Sequence, residues 1–308
     1  MILRPAEKPQ VKFGLVEMTN EAYHASEGVS KSRLDVMAHS AQHYWQAYIN
    51  PAREPREATP AMFIGTLIHS AILEPDLLTK QYVVLPENAP NRPTKAQLNA
   101  QRPSAEAVQS IAWWKWFEAE HAGRVILTPE QWALARGARD SVHQHPRARQ
   151  LLARGKAEQS YFALDPDSGA IVKCRTDWTA ATGEMVDVKS TVSAAPDQFQ
   201  RSVLDYRYHV QQPWYQDVVE AATDAPLPSR AWYFLAVEKT PPYACALYTL
   251  PEDVVRAGRL QGQRDLRRIV ECTALDEWPG YSTEPVELQF SKYARDKMGA
   301  NSPEADFA

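Results

Sequence analysis

The spacing of apolar residues changes near residue 155 and divides the chain into two kinds of sequence. Ahead of that point, apolar positions fall on helical faces. Ser30 is placed to cap a helix running to Tyr48, with Leu34, Met37, Tyr44 and Tyr48 near one side. A second helix is predicted from Met62 to Leu73, stopping before Pro75, and others over 104–121, 129–143 and 147–154. Pro51 to Pro60 reads as a connector rich in Pro, Arg and Glu, and residues 86–103, with four prolines, as a long loop. After residue 155 the period shortens. Glu158–Leu164, Ala170–Trp178 and Glu184–Lys189 are predicted strands separated by Asp-Pro-Asp-Ser-Gly and Ala-Ala-Thr-Gly turns. Helices over 195–204 and 206–222, strands at Ala231–Val237 and Ala244–Leu250, and a long helix over 252–272 complete the pattern. The expected organisation is an N-terminal arm (1–25), one domain over 26–290 and a tail over 291–308, with disorder expected from Gly299. Within the domain, a helical half (26–155) precedes a mixed α/β core (156–290), with strand and helix order β-β-β-α-α-β-β-α.

Composition narrows the classes. Apolar residues make up 44% and charged residues 23% of the 308, which is ordinary for a globular protein. No apolar run approaches the ~20 residues of a membrane span. Met1 to Phe13 has basic residues but no apolar core segment, so it is not a secretory signal. Three widely separated cysteines, Cys174, Cys245 and Cys272, predict a reducing cytoplasm and no disulfide framework, and none of them pairs at metal-ligand spacing. A net charge of −4 argues against coating nucleic acid by bulk charge, but leaves room for a local basic groove.

The candidate chemistry sits on the predicted strands. Side chains alternate along a strand, so Met185, Asp187 and Lys189 share one side, and Val186 and Val188 the other. The valines are free to bury while Asp187 and Lys189 face a cleft. Asp177 ends the preceding strand, and a hairpin brings it beside Asp187. Two neighbouring carboxylates repel unless a cation lies between them. Magnesium suits such oxygen ligands, and an adjacent ammonium can meet the charge that develops on a phosphodiester in hydrolysis. His69 lies on an apolar helix four positions after Gly65, and Gln211 and Tyr215 are one turn apart on a helix after the Asp-x-Lys strand.

Together these elements resemble the PD-(D/E)xK nuclease superfamily, and within it the RecE-type exonuclease VIII family of phage and prophage recombination. The resemblance runs from about residue 20 to 290. It includes Tyr23-His24 with Gly28-Val29-Ser30, the Gly65-to-His69 helix with Leu73-Glu74-Pro75, and Arg92-Pro93-Thr94-Lys95. It continues through Glu118 to Thr128, Cys174-Arg175-Thr176-Asp177, Asp187-Val188-Lys189-Ser190-Thr191 and Asp205 to Gln211. It implies a restriction-endonuclease-like core with a central mixed sheet flanked by helices. It also implies that His69, Asp177, Asp187 and the Val188 carbonyl ligate Mg²⁺, with Mn²⁺ able to substitute, and that Lys189 is catalytic. Gln211 and Tyr215 match the family's glutamine–tyrosine element, and Glu158 falls where related nucleases often carry a further acid. Thr176 stands where the superfamily name has proline, a position without a chemical role.

The activity the resemblance implies is a 5′→3′ exodeoxyribonuclease on linear duplex DNA, leaving 3′ single-stranded tails. The implied partners are duplex DNA ends, a RecT-type single-strand annealing protein, and further copies of the chain in a ring, a tetramer by likeness. Arg201 and Arg207 flank the Gln211 helix and are candidate DNA contacts. Arg256, Arg259, Arg264, Arg267 and Arg268 form a basic helix that reads equally well as a solvated face. Trp113, Trp114 and Trp116 suit packing or a subunit interface better than base stacking. Two alternatives remain open: an endonuclease or end trimmer of the same fold, and a non-catalytic module that binds DNA ends as a recombination scaffold.

Overall fold

The first three expected core strands form, over Gly155–Leu164, Ile171–Ala180 and Met185–Thr191, with ends shifted by up to three residues. The protein is described here as a computed structural model covering residues 12–54 and 59–300. It opens with β1 (Gly14–Val16), α1 (Asn20–Ala25), α2 (Lys31–His39) and α3 (Ala41–Tyr44), the last continuing as a π-helical turn over Trp45–Ile49. Then come α4 (Pro60–Leu73), α5 (Pro75–Gln81), β2 (Tyr82–Val84), α6 (Lys95–Leu98), α7 (Ala105–Glu120), β3 (Val125–Leu127), α8 (Pro129–Gln144) and α9 (Pro146–Leu151). The remainder is β4 (Gly155–Leu164), β5 (Ile171–Ala180), β6 (Met185–Thr191), α10 (Pro196–Asp205), α11 (Tyr208–Thr223), β7 (Trp232–Glu238), β8 (Cys245–Tyr248), α12 (Glu252–Leu275) and α13 (Lys292–Lys297).

The differences from expectation have local causes. The helix expected from Ser30 to Tyr48 breaks at Ser40, whose backbone is extended (φ −171°) and whose hydroxyl accepts the His43 N–H at 3.1 Å, capping a new start. Pro75 does not end the helical region. It sits in the first turn of α5, where a missing N–H costs nothing. The 86–103 loop contains α6, a single turn held by a Thr94–Gln97 capping box. The arm is ordered from Gly14: β1 pairs antiparallel with β4, Gly14 opposite Phe162. The expected disordered tail is preceded by α13. The first eleven residues, residues 55–58 of the connector and residues 301–308 lie outside the described residues.

Six strands form one mixed sheet in the order β1-β4-β5-β6-β7-β8. Only β6 and β7 run parallel, with Asp187 opposite Phe234 and Lys189 opposite Ala236. A separate parallel pair, β2 and β3, is three residues long in each strand. One face of the main sheet buries Val186, Val188, Leu235 and Val237 against Ile68 and Ile72 of α4 and Ala138 and Val142 of α8. The opposite face buries Met185, Phe234 and Ala236 against Val210, Trp214 and Val218 of α11, with Leu34, Met37, Leu266 and Ile269 behind. Burying helices on both sides explains why β7 is apolar on both faces, whereas β6 is apolar on the α4 side and carries Asp187 and Lys189 on the other.

Helix α11 is seated by two backbone features. Pro213 has no N–H for the His209 carbonyl one turn earlier, which leaves that oxygen without its helical partner. Gly258 of α12 packs there, and a Cβ on it would lie 1.8 Å from the same oxygen. Arg207, in the left-handed conformation (φ +52°), makes the sharp entry into α11 from α10.

Candidate metal and hydrolysis centre

The site forms where the sheet splits. β5 and β6 pair only at Trp178–Val186 and Thr179–Met185, then separate. The gap is bridged by a side chain: Asp177 Oδ2 accepts the Val188 N–H at 2.8 Å, replacing a ladder bond that the diverging strands no longer make. Through this opening α4, packed on one face of the sheet, and α11, packed on the other, reach the same point. His69 of α4 lies with Nδ1 3.5 Å from Asp177 Oδ2. Gln211 of α11 reaches Asp187 and Lys189 from the far side.

Glu158 joins from β4. It falls, like Asp177, between the Ala157–Trp178 and Gln159–Thr176 pairs of β4 and β5, with φ at +53°. That conformation is unfavourable for a residue with a side chain, by about 1–2 kcal/mol, and it reverses the faces of the hairpin. Ala157 and Trp178 pack with the β6 valines, whereas Tyr161 and Cys174 pack with the α11 side. The strand phase of Glu158, ambiguous from alternation alone, is thus set by a backbone irregularity that aims its carboxylate at the split. His69, Glu158 and Asp177 offer ligand atoms all within 4.8 Å of one another.

Asp187 occupies a different position from the one expected for a plain ligand. It is almost fully buried, ion-paired with Lys189 Nζ at 2.7 Å and hydrogen-bonded by the Gln211 side-chain N–H. The close trio is therefore His69, Glu158 and Asp177: Glu158, expected as a further acid, is part of it, and Asp187, expected as a ligand, is engaged with Lys189 beside it. Lys189 also donates to Gln211 Oε1 at 2.9 Å, so a single amide orients both members of the Asp-x-Lys pair. Tyr215 lines the same groove one turn along α11, its ring edge-on to Trp232 at 5.6 Å. The Val188 peptide touches two candidate ligands: its N–H binds Asp177, and a backbone hydrogen bond with Val188 favours the charged form of His69.

Electrostatics follow from this crowding. Burial, then the Asp187 charge, hold the Asp177 carboxyl well above the ordinary aspartate value, against the pull of Lys189 and the Val188 N–H. Burial lowers the His69 pKa, favouring the neutral imidazole that a metal requires. Burial works to lower the Lys189 pKa too, but Asp187 and its other neighbours outweigh it and raise the pKa, so the ammonium persists. Asp187 Oδ2 is buried, and the Lys189 ammonium at 2.7 Å is its partner. A neutral imidazole, two close carboxylates and an excess of buried negative charge fit a hard divalent cation.

These groups open into a groove of about 1840 Å³, lined by His69, Glu158, Asp177, Lys189, Gln211 and Tyr215. Lys31, Arg33, Arg53 and Lys80 stand along its walls. The two arginines expected to contact DNA are placed otherwise. Arg201 is exposed on α10 and does not line the groove. Arg207 lines it, but its guanidinium is spent on Asp35 at 3.1 Å and on buried Asp265. In the basic helix, Arg259 binds Asp217 at 2.8 Å and Arg264 binds Asp265 at 2.8 Å, consistent with an ion-paired face. Trp114 is buried with its indole N–H on the Pro90 carbonyl, and Trp113 stacks on Phe117, whereas Trp116 is exposed. Sequence reasoning missed the counter-ion of Glu158, Arg175, at 2.6 Å. It stands in the Cys174-to-Asp177 run, where strand alternation points it away from Cys174 and toward the acid. Among the described residues, no helix is long and apolar enough to cross a membrane.

Comparison with known proteins agrees with this architecture. No curated protein matches the chain significantly. The crystal structure of a "Putative exonuclease" from Eubacterium rectale superposes with a TM-score of 0.53 at 13% identity, over 94% of this chain and 99% of that one. At that identity the likeness is one of fold. Residues 30–288 match a family across both the helical half and the split sheet, and the chain belongs to that family, the PDDEXK-like domain of unknown function (DUF3799).

Proposed function

We propose that this protein is a divalent-metal-dependent exodeoxyribonuclease that acts on the ends of linear duplex DNA. The observation that carries the reading is the meeting of His69, Glu158 and Asp177 with the Asp187–Lys189 pair at the split of the sheet, beside a groove whose walls include Arg33, Arg53 and Lys80. His69, Glu158 and Asp177, with Asp187 and the Val188 carbonyl beside them, would hold the cation. When bound, it supplies a water of lowered pKa and polarises the phosphodiester. The chain's own groups do the rest. Lys189, fixed between Asp187 and Gln211, donates to a phosphate oxygen as negative charge builds there. Asp187 and Gln211 hold that ammonium in place, and Tyr215, neutral because burial raises its pKa, lines the path of the strand. The attacking oxygen is water's, so no covalent enzyme intermediate forms.

The finer reading rests on the resemblance to RecE-type exonucleases: 5′→3′ polarity, 3′ single-stranded products, Mg²⁺ with Mn²⁺ substituting, a ring of subunits, and handover to a RecT-type annealing protein. The likeness in fold to the Eubacterium rectale "Putative exonuclease" supports the coarser part. One digestion tests both. A linear duplex labelled at one 5′ end is incubated with Mg²⁺, Mn²⁺ or EDTA, beside a covalently closed circle. Early release of labelled mononucleotide in metal, with the circle intact, is the expected result. Cutting of the circle would point to an endonuclease, and end binding without any metal-dependent loss of DNA would leave only a scaffold. Lys189→Ala should abolish cleavage and keep the fold.

A further inference from the structure

The catalytic-lysine candidate has three N–H bonds to place. Two point at oxygen: Asp187 Oδ2 at 2.7 Å and Gln211 Oε1 at 2.9 Å. The remaining close neighbour is an aromatic face, since Lys189 Nζ lies 4.4 Å from the centre of the Tyr208 ring. We infer that Tyr208 is the third holder of Lys189, a positioning residue that fixes the ammonium through its ring rather than its hydroxyl. This rests on the nuclease reading above, but it concerns a residue outside the glutamine–tyrosine element and outside the ligand set.

Three observations support it. First, the ring is itself stacked on other rings. It stacks on Phe234 at 5.7 Å and on Tyr206 at 5.7 Å, and Phe234 is fully buried opposite Asp187 in the β6–β7 register. Second, no hydrogen bond of the Tyr208 hydroxyl is found among the described residues, so the ring carries the contact. Third, a second ammonium, Lys31 Nζ, lies 5.8 Å from the same ring centre. Two like charges converge on one ring whose electron-rich face attracts both. Each ammonium keeps its own carboxylate, Lys31 on Asp35 at 2.7 Å and Lys189 on Asp187 at 2.7 Å, and the ring lies between the two pairs. An error of about 1 Å in a catalytic group can cost ~100-fold in rate, so a soft third contact matters to an ammonium held by only two oxygens.

The test compares Tyr208→Phe, which keeps the ring, with Tyr208→Leu, which removes it, at a temperature well below both melting points. Single-turnover and steady-state cleavage of linear duplex should show kcat about 10- to 100-fold lower for Tyr208→Leu, KM within about twofold, and Tyr208→Phe close to wild type. A reading independent of activity accompanies this. Trace labelling of the metal-free protein with acetic anhydride, followed by peptide mass spectrometry, should find Lys189 protected in wild type and Tyr208→Phe, and several-fold more reactive in Tyr208→Leu. Equal labelling of Lys189 in all three proteins would overturn the inference, as would equal kcat losses in Phe and Leu variants. A wild-type protein that never cleaves DNA would instead remove the nuclease reading, and the labelling would still decide the role of Tyr208.

Discussion

Asp177 has to satisfy two opposing demands. Its carboxylate accepts a backbone N–H that the split sheet leaves free, and it also stands among Glu158, Asp187 and the neutral ring of His69. Its folded pKa is raised above the ordinary 3.8, so the native state binds the proton more tightly than the unfolded chain does. The stability this confers is complete below about pH 4 and is lost as pH rises through the folded value. In EDTA at neutral pH, Asp177→Asn should therefore melt higher than wild type, because the amide still accepts the Val188 N–H without the charge. Added Mg²⁺ or Mn²⁺ should reverse the order. Cation at about 100 times its Kd is worth about 2.7 kcal/mol to a protein that binds it, and the variant lacks the ligand. Thermal melts across pH 4–8, with and without metal, read both effects; a variant never more stable than wild type would contradict the crowding of charge. Asp177, Asp187 and Lys189 were legible in the sequence, because alternation and a hairpin suffice to gather them. Glu158 was ambiguous because its left-handed backbone breaks the alternation on which the reading relied.

Helix α11 carries Tyr208, Gln211 and Tyr215, so its seating on α12 governs the site. The contact depends on Gly258 having no side chain where Pro213 has freed the His209 carbonyl. Gly258→Ala is expected to push α12 off α11, at about 1–3 kcal/mol of stability, and to lower cleavage through Gln211 although it lies on the far side of α11. Denaturant unfolding and a cleavage assay check the two parts; unchanged stability would mean that the helices separate without cost. The elements themselves were largely foreseen from apolar spacing, including both long helices of the core. The break at Ser40 was not, since a hydroxyl that recaps a helix leaves no trace in the apolar pattern. β1, β2 and β3 were missed for another reason. Three residues are too short to show a period, and each strand exists only because a partner lies alongside.

Long-range ion pairs bind the helical half to the core. Arg207 joins Asp35 of α2 to Asp265 of α12, and Asp265 is buried. Arg207→Ala should cost about 3 kcal/mol, since it strips a partner from a buried carboxylate, with Arg264 left to compensate in part. Arg201→Ala should change stability by less than about 0.5 kcal/mol. A thermal melt separates the two, and equal losses would contradict the structural role given to Arg207. DNA binding should respond elsewhere. Arg53, exposed on the groove wall, is expected to contact phosphate, so Arg53→Ala should lower the slope of log affinity against log salt by about 1. Arg201→Ala should leave that slope unchanged, and a steeper effect at Arg201 would move the DNA path off the groove.

Local chemistry was written in the chain: which segments curl or extend, which strand bears the Asp-x-Lys pair, and which superfamily the combination resembles. Those properties follow from neighbours within a turn or a hairpin, where period and turn residues act directly. Folding in three dimensions decided the parting of β5 from β6, the arrival of His69 and Gln211 from opposite faces, and the placing of Glu158 beside His69 and Asp177. It also turned Arg207 from a DNA contact into an internal tie and put the Tyr208 ring against Lys189. Each depends on residues far apart in the chain meeting at one point, and no periodicity in a sequence encodes a distance between two helices.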